Sequence, residues 1–417
     1  MLTNIKKTYN EYPRNFWVLM LGVFIDRFGG ALVYPFFALY ITDHFDVGMT
    51  EVGYLFGIFT LTGIIGSFLG GALTDKFGRK NMMLLGLFIS GMTSLMIIFV
   101  NDIRLFYSVG AVMGLLGNIG GPAAQAMIAD ILPEEQRTEG YGIFRVTFNL
   151  SVTFGPLLGG LFADYNFALL FIGDAITSAI TAYIVWKFIP ESKPVVEGQE
   201  EESLAKSVGG YGRVARDYPF MIFLLVSMLS AAVYMQMNTT LSVYMRDVHD
   251  FPNKYYGYIL AMNAGMVVTM QFWITRRIKG FPAMKLMAVG TFLYGIGFGM
   301  FGIVQGIAMF ALAMVILTIG EMVIAPVSQT LVAKFAPEDM RGRYMAMFGF
   351  SWAVPSLFVP LLAGVVMDNY NPNWIWYAAF FIDVIAGLGY NALHDQTQKR
   401  EDQAMLAAEP VMAEGSV

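Results

Sequence analysis

Long runs of apolar residues, broken by short polar stretches, recur along the whole chain. Twelve can be marked, at about residues 15–42, 49–74, 81–100, 103–131, 138–163, 167–189, 219–246, 254–276, 283–304, 306–334, 340–366 and 373–393. Each is close to the roughly 20 residues that cross a bilayer core as a helix. Only helices and closed barrels satisfy every backbone group in lipid, and continuous apolar runs, unlike alternating ones, predict helices. The reading is an all-α polytopic membrane protein of twelve transmembrane helices. The one long polar connection, residues 190–218, carries Pro190, Pro194, an acidic stretch from Glu197 to Glu202, and then Lys206, Arg213 and Arg216. It separates a six-helix half at 1–189 from a second at 219–394, and the polar 395–417 is expected to be a disordered cytoplasmic tail.

Composition agrees: 56% of residues are hydrophobic and only 14% charged. Of the 26 Lys and Arg, about 21 fall in the termini and the even-to-odd loops, which by the positive-inside rule makes both termini cytoplasmic. Arg104, Arg246 and Lys254 lie on the other side, and Arg27 and Arg145 fall inside spans. The first span follows Lys6, Lys7 and Arg14 and lacks a small-residue cleavage site, so it is read as retained. A net charge of −5 with scattered basic residues argues against nucleic acid as a partner. Cysteine is absent, which removes disulfides, thiolate metal sites and thiol nucleophiles.

The halves repeat. An offset of 204 residues superposes Pro122 on Pro326, Gln125 on Gln329, Pro133 on Pro337, Arg137 on Arg341, Phe144 on Phe348, Pro156 on Pro360, Gly160 on Gly364 and Asp164 on Asp368. One register held over that distance reads as parallel duplication of a six-span unit.

Between spans two and three stands Gly71-Ala72-Leu73-Thr74-Asp75-Lys76-Phe77-Gly78-Arg79-Lys80. It resembles the signature loop of major facilitator superfamily transporters, G-x-x-x-D-[RK]-x-G-[RK]-[RK], with every fixed position filled. The resemblance covers residues 10 to 395 and implies two pseudo-symmetric bundles working by rocker-switch alternating access. It also implies a conformational latch of Gly71, Asp75, Gly78, Arg79 and Lys80, in which Arg79 pairs with Asp130 at the end of span four. The corresponding loop of the second half, Arg276-Arg277-Ile278-Lys279-Gly280, keeps the basic residues and loses the aspartate. Span five carries Ser151-Val152-Thr153-Phe154-Gly155-Pro156-Leu157-Leu158-Gly159-Gly160, which resembles the antiporter motif G-x-x-x-G-P-x-x-G-G of drug:proton antiporters. Gly155, Pro156, Gly159 and Gly160 match, and Ser151 replaces the first glycine. The plain alternative is close helix packing through small residues.

The repeat fails where it is most informative. Asp26, Arg145 and Glu321 lie inside spans, and their partners at the 204 offset are Ser230, Gly349 and Gly117. Charge at membrane depth marks a proton relay or substrate site by default, so Asp26, Glu321, Arg145 and Arg27 are the proton-coupling candidates. The alternative is a buried ion pair that locks helices. Polar and aromatic residues inside spans, Tyr34, Asn118, Asn149, Tyr234, Gln236, Asn238, Asn263 and Trp352, are candidates for the cavity lining, together with Gln125 and Gln271. Asp174 and Asp383 rank second because spans six and twelve are peripheral in the family's architecture.

The resemblance implies a secondary transporter of the plasma membrane, expected as a monomer, that exports lipophilic or cationic small molecules against protons. Its partners are a small-molecule substrate, protons and the lipid bilayer, and its energy source is the proton gradient, with no cofactor and no metal. Transport of a polar metabolite or a lipid-like solute is the runner-up. An enzyme is disfavoured, because His44, His249 and His394 lie at span ends or in loops and no phosphate-binding loop exists.

Overall fold

A computed structural model of the protein describes residues 11–117, 120–192, 211–337 and 340–414, and among them only helices, turns and short connections occur. The first span is α1 (Arg14–Val33), a 3₁₀ turn (Tyr34–Phe36) and α2 (Phe37–Phe45). The turn holds Pro35, whose missing N–H cannot continue an α-helical ladder. Next come α3 (Met49–Phe77) and α4 (Arg79–Ile97), hinged at Gly78 with φ of +94°, a left-handed conformation suited to glycine. Span four is α5 (Ile103–Gly117) and α6 (Gly120–Ile131), followed by α7 (Glu134–Tyr165) and α8 (Ala168–Phe188). The second half runs α9 (Tyr218–Thr239), α10 (Leu241–Asp247), α11 (Asn253–Arg277), α12 (Ala283–Phe301), α13 (Ile307–Phe335), α14 (Arg341–Asn369) and α15 (Asn373–Glu414).

Among the described residues eleven helices are long and apolar enough to cross a membrane, and Ile103–Gly117 is a shorter apolar helix in the place of span four. Most of the linker read at 190–218 lies outside the described residues. The tail is a correction: α15 continues as helix to Glu414. Its run of Ala, Gln, Glu, Lys and Leu consists of good helix formers.

Two compact units are present, and their borders differ from the sequence halves. The first holds Met1–Gln199 together with Gln236–Val268 and Leu357–Asn369, and the second holds Glu200–Met235, Thr269–Ser356 and Tyr370–Val417. The first unit is centred on Phe16, Leu19 and Met20 of α1, Met82 and Met83 of α4, Met127 and Ile128 of α6, and Val185 of α8. The second is centred on Phe220 and Phe223 of α9, Met284 and Met287 of α12, Leu331 and Phe335 of α13, Tyr344 of α14 and Tyr390 of α15. Helix association in lipid rests on close packing and polar contacts, so small residues set the approach. A Cβ on Gly86 of α4 would lie 3.0 Å from the Gly120 Cα, and one on Gly290 of α12 would lie 3.1 Å from the Gly320 carbonyl of α13.

The first unit takes in pieces of α9 to α11 and α14 because their ends far from Arg14 pack onto α1, α2, α3 and α7. Gly160 and Gly257 meet backbone to backbone: a Cβ added to either would lie 3.1 Å from the other's Cα, and Lys254 pairs with Asp164 at 3.2 Å. Asp368 accepts hydrogen bonds from the Met49 and Thr50 backbone N–H groups at 2.8 and 2.7 Å, and from the Thr50 hydroxyl at 2.6 Å. It thereby caps α3, whose own N-cap residue, Gly48, has no side chain to do so. Asp164 and Asp368, like Gly160 and Gly364, are repeat partners: each half supplies one glycine and one aspartate to this closure.

Candidate functional site

In the first unit, Asp26 and Arg27 sit midway along α1. Arg27 Nε is 4.0 Å from an Asp26 carboxylate oxygen, and its guanidinium lies 5.8 Å from the centre of the Phe148 ring on α7. Asp26 is half-buried, while Arg145 and Asn149, on the same stretch of α7 as Phe148, are exposed. Asp26 pairs with its neighbour Arg27, and Arg145 forms no ion pair among the described residues.

In the second unit, Glu321 stands five residues before Pro326, which lies inside α13. The Tyr234 hydroxyl donates to Glu321 Oε1 at 3.0 Å. The Tyr234 ring packs edge-on against Trp352, at 5.6 Å between centroids, and tilted on Tyr294 at 5.7 Å. Glu321 is half-buried and Trp352 is 46% exposed, so this carboxylate and its aromatic walls are open on one side. Gln271 donates to the Met322 carbonyl at 2.9 Å one residue further along α13. The structure therefore joins three of the sequence candidates, Glu321, Tyr234 and Trp352.

The remaining polar candidates do not join them. Gln236 is buried and accepts from Thr240 at 2.5 Å, Asn263 is buried, and Asn238 is half-buried, all within the first unit. Tyr34 is exposed, packed edge-on against Phe56. Asn118 lies outside the described residues.

The loop after α3 is held by a set of hydrogen bonds. Arg79 Nε donates to Asp130 Oδ2 at 3.1 Å, and the Ser192 hydroxyl donates to the same oxygen at 3.0 Å. Lys80 Nζ donates to the Trp186 carbonyl at 2.7 Å. Glu191, which sequence reasoning missed, accepts from the Arg79 backbone N–H at 2.8 Å and from that of Lys80 at 3.4 Å. It caps the start of α4 from outside the helix, where the helix dipole favours an anion. The signal was an acid directly after Pro190, at the end of span six. Gly78 is buried here, and a side chain on it would collide with Glu191. Gly71 and Asp75 belong to α3, and their side chains lie outside what is described. Replacing Glu191 by Ala is expected to cost about 1 kcal/mol, as for a lost helix cap. The measurement is the melting temperature of the purified protein in detergent.

The span-five motif has two working faces. Ser151, Gly155 and Gly159 point to α1: the Ser151 hydroxyl donates to the Phe24 carbonyl at 3.0 Å, and Cβ atoms on the glycines would lie 2.4 Å from Ala31 Cβ and 2.7 Å from the Leu32 carbonyl. Pro156 and Gly160 point to α11, where a Cβ on Gly257 would lie 2.7 Å from the Pro156 carbonyl. The departure at Ser151 thus carries a helix-to-helix hydrogen bond.

Asp174 and Asp383, ranked second as peripheral, are instead buried, at 8% and 0% exposure. Their helices present these residues inward, to the first and third helices of their own bundles.

Known proteins resemble this chain along most of its length. The family model described as Major Facilitator Superfamily matches residues 19–358 and 279–408. A Na(+), Li(+), K(+)/H(+) antiporter of Planococcus maritimus is 28% identical over 380 residues, covering 84% of this chain and 89% of the relative. Multidrug resistance protein 2 of Bacillus subtilis (strain 168) is 22% identical over 409 residues, covering 96% and 100%. Among solved structures, the nucleoside transporter NupG superposes with a TM-score of 0.74 at 13% identity, covering 91% of this chain and 99% of that one.

Proposed function

The chain belongs to the Major Facilitator Superfamily, and from that premise we propose a proton-coupled antiporter that exports cationic or lipophilic small molecules across the plasma membrane, with both termini cytoplasmic. The observation that carries this reading is Glu321: a half-buried carboxylate in the middle of an apolar helix, bonded to Tyr234 and walled by Trp352. Aromatic faces and a carboxylate together attract an organic cation. A carboxylate at that depth is also the group that protonates reversibly.

Antiport follows from competition. Either the cation or a proton neutralises Glu321, and each favours a different conformation, so that loading one releases the other. Asp26 supplies a second exchangeable carboxylate in the first half. Arg79 with Asp130 acts as the latch on the terminal side, and the contacts of Asp164 and Asp368 act as the closure on the far side. The relatives named as multidrug resistance and cation/proton antiport proteins support this class. A second reading, export of inorganic cations, is favoured by the first of these relatives.

Everted membrane vesicles test the choice. Lipophilic cations, alkali ions, sugars, peptides and acids are offered with an imposed proton gradient, with and without a protonophore. Gradient-dependent uptake of unrelated organic cations is the expected result. Uptake of a sugar or acid that ignores the protonophore would overturn it.

A further inference from the structure

The last helix of each half carries one fully inward carboxyl, and the two are held differently. Asp174 of α8 accepts a 2.5 Å hydrogen bond from the Ser94 hydroxyl of α4 and backs onto Gly29 of α1, where a Cβ would stand 2.9 Å from one of its oxygens. Asp383 of α15 is 0% exposed, and neither of its oxygens has a hydrogen-bond partner among the described residues.

Two hydroxyls near Asp383 are in the same condition: Ser230 Oγ of α9, at 6% exposure, and Thr291 Oγ1 of α12, at 0%. The packing brings all three to one level. A Cβ on Gly295 would be 3.1 Å from Asp383 Cβ, and one on Gly387 would be 3.4 Å from the Ala288 carbonyl. Thr291 lies between Ala288 and Gly295 on that same α12 face, at helical spacing, and so faces α15 at the height of Asp383. On α9, Ser227 bonds Tyr390 at 2.9 Å and Val226 meets Gly389, and Ser230 lies one turn on in this antiparallel pair, on the side toward Asp383. Its hydroxyl reaches the carboxyl at the edge of hydrogen-bonding geometry, a contact too loose to satisfy either group.

Buried polar atoms are almost always partnered, and four buried oxygens from three neighbouring helices that lack a well-formed hydrogen bond indicate something that binds there. An ionised carboxylate without compensation in that setting is prohibitively costly. One negative charge matches one positive charge, since a divalent ion would leave a net buried charge. Hydroxyl and carboxylate oxygens suit a hard ion. We propose that Asp383, Ser230 and Thr291 form a binding site for one small monovalent cation, a proton or a dehydrated alkali ion, inside the second six-helix half. The titratable groups around it are Tyr390 of α15, Tyr294 of α12, Tyr234 of α9 and Glu321 of α13. Tyr294 lies within electrostatic reach of both Asp383 and Glu321. The proposal goes beyond the function given above and holds whichever solute is exported.

Equilibrium binding by the purified full-length protein in detergent tests it without any transport measurement, so failure here and failure of the antiport reading are separate results. NaCl, LiCl, KCl or choline chloride is added to weakly buffered protein while a pH-indicator dye and the melting temperature are followed. An alkali-ion site releases about one proton per protein and raises the melting temperature with at least one alkali salt and not with choline. Asp383→Asn abolishes both responses, and Ser230→Ala and Thr291→Val weaken the apparent affinity about tenfold. A proton-only site gives no alkali response, and a protonated-carboxyl infrared band that Asp383→Asn removes and Ser230→Ala or Thr291→Val shifts. Should Asp383→Asn fail to fold, the two hydroxyl variants carry the test. No alkali response, with a carboxyl band unchanged in every folded variant, would overturn the proposal and leave a site for buried water only.

Discussion

Glu321→Gln is expected to fold and to lose gradient-driven export by on the order of 100-fold, the scale of a missing proton-transfer group. Glutamine keeps the size of the side chain and an oxygen to accept the Tyr234 hydroxyl, so the contact at 3.0 Å and the aromatic walls survive. What it lacks is a titrating oxygen. Solute exchange without net proton movement therefore continues in proteoliposomes while uphill export stops. Tyr234→Phe should act differently, changing the apparent affinity for a cation more than the maximal rate, because it removes a hydrogen bond and leaves the carboxyl in place. Asp26→Asn is the matching test in the first half. Undiminished coupling in both amide variants would remove the carboxylates from the mechanism.

Gly364→Leu should be nearly as damaging for an unrelated reason. Even a Cβ there would sit 2.3 Å from the Met49 carbonyl, and backbone cannot swing aside as a flexible side chain can. The closure on the side far from Arg14 fails, and the population moves to states open on that side. Its repeat partner Gly160, facing Gly257 backbone to backbone, gives the same outcome with Gly160→Leu. The chain has no cysteine of its own, so a single reporter cysteine at Leu361, beside Gly53, reads the closure directly. Labelling by a membrane-impermeant maleimide should quicken by on the order of tenfold, equivalent to about 1.4 kcal/mol of lost closure. Asp368→Ala, which removes the cap of α3 without a clash, should produce a smaller increase.

Much of this architecture was legible in the apolar runs. Their length and continuity report the bilayer itself, so among the described residues eleven of the twelve spans reappear as helices that can cross it. The repeat was also legible, and it carried more than was taken from it: Asp164 and Asp368 stood in register without a role until the structure gave both to one closure. Glu321 could be found because a lone carboxylate interrupts an apolar run, whereas Tyr234 and Trp352 could be named only as cavity candidates and not as its partners. Tyr234 and Trp352 are 118 residues apart in sequence and look like any other membrane aromatics. The burial of Asp383 was not legible, because the position of a helix within a bundle does not say which way a residue on it points. Glu191 was missed because its partner is a pair of backbone N–H groups, which no side-chain pattern reveals.

The two aspartates of the far closure respond differently to the ions of the medium. Lys254 and Asp164 form a solvent-accessible pair, with side chains 39% and 26% exposed, and mobile ions screen such pairs within a Debye length of roughly 10 Å at 0.1 M salt. Asp368 instead grips two neutral backbone N–H groups at short range, where screening has little to act on. Rising ionic strength should therefore loosen the fastening of α7 to α11 while leaving that of α14 to α3 intact. The resting conformation would then depend on the salinity on that side of the membrane, through one of two repeat-related contacts only.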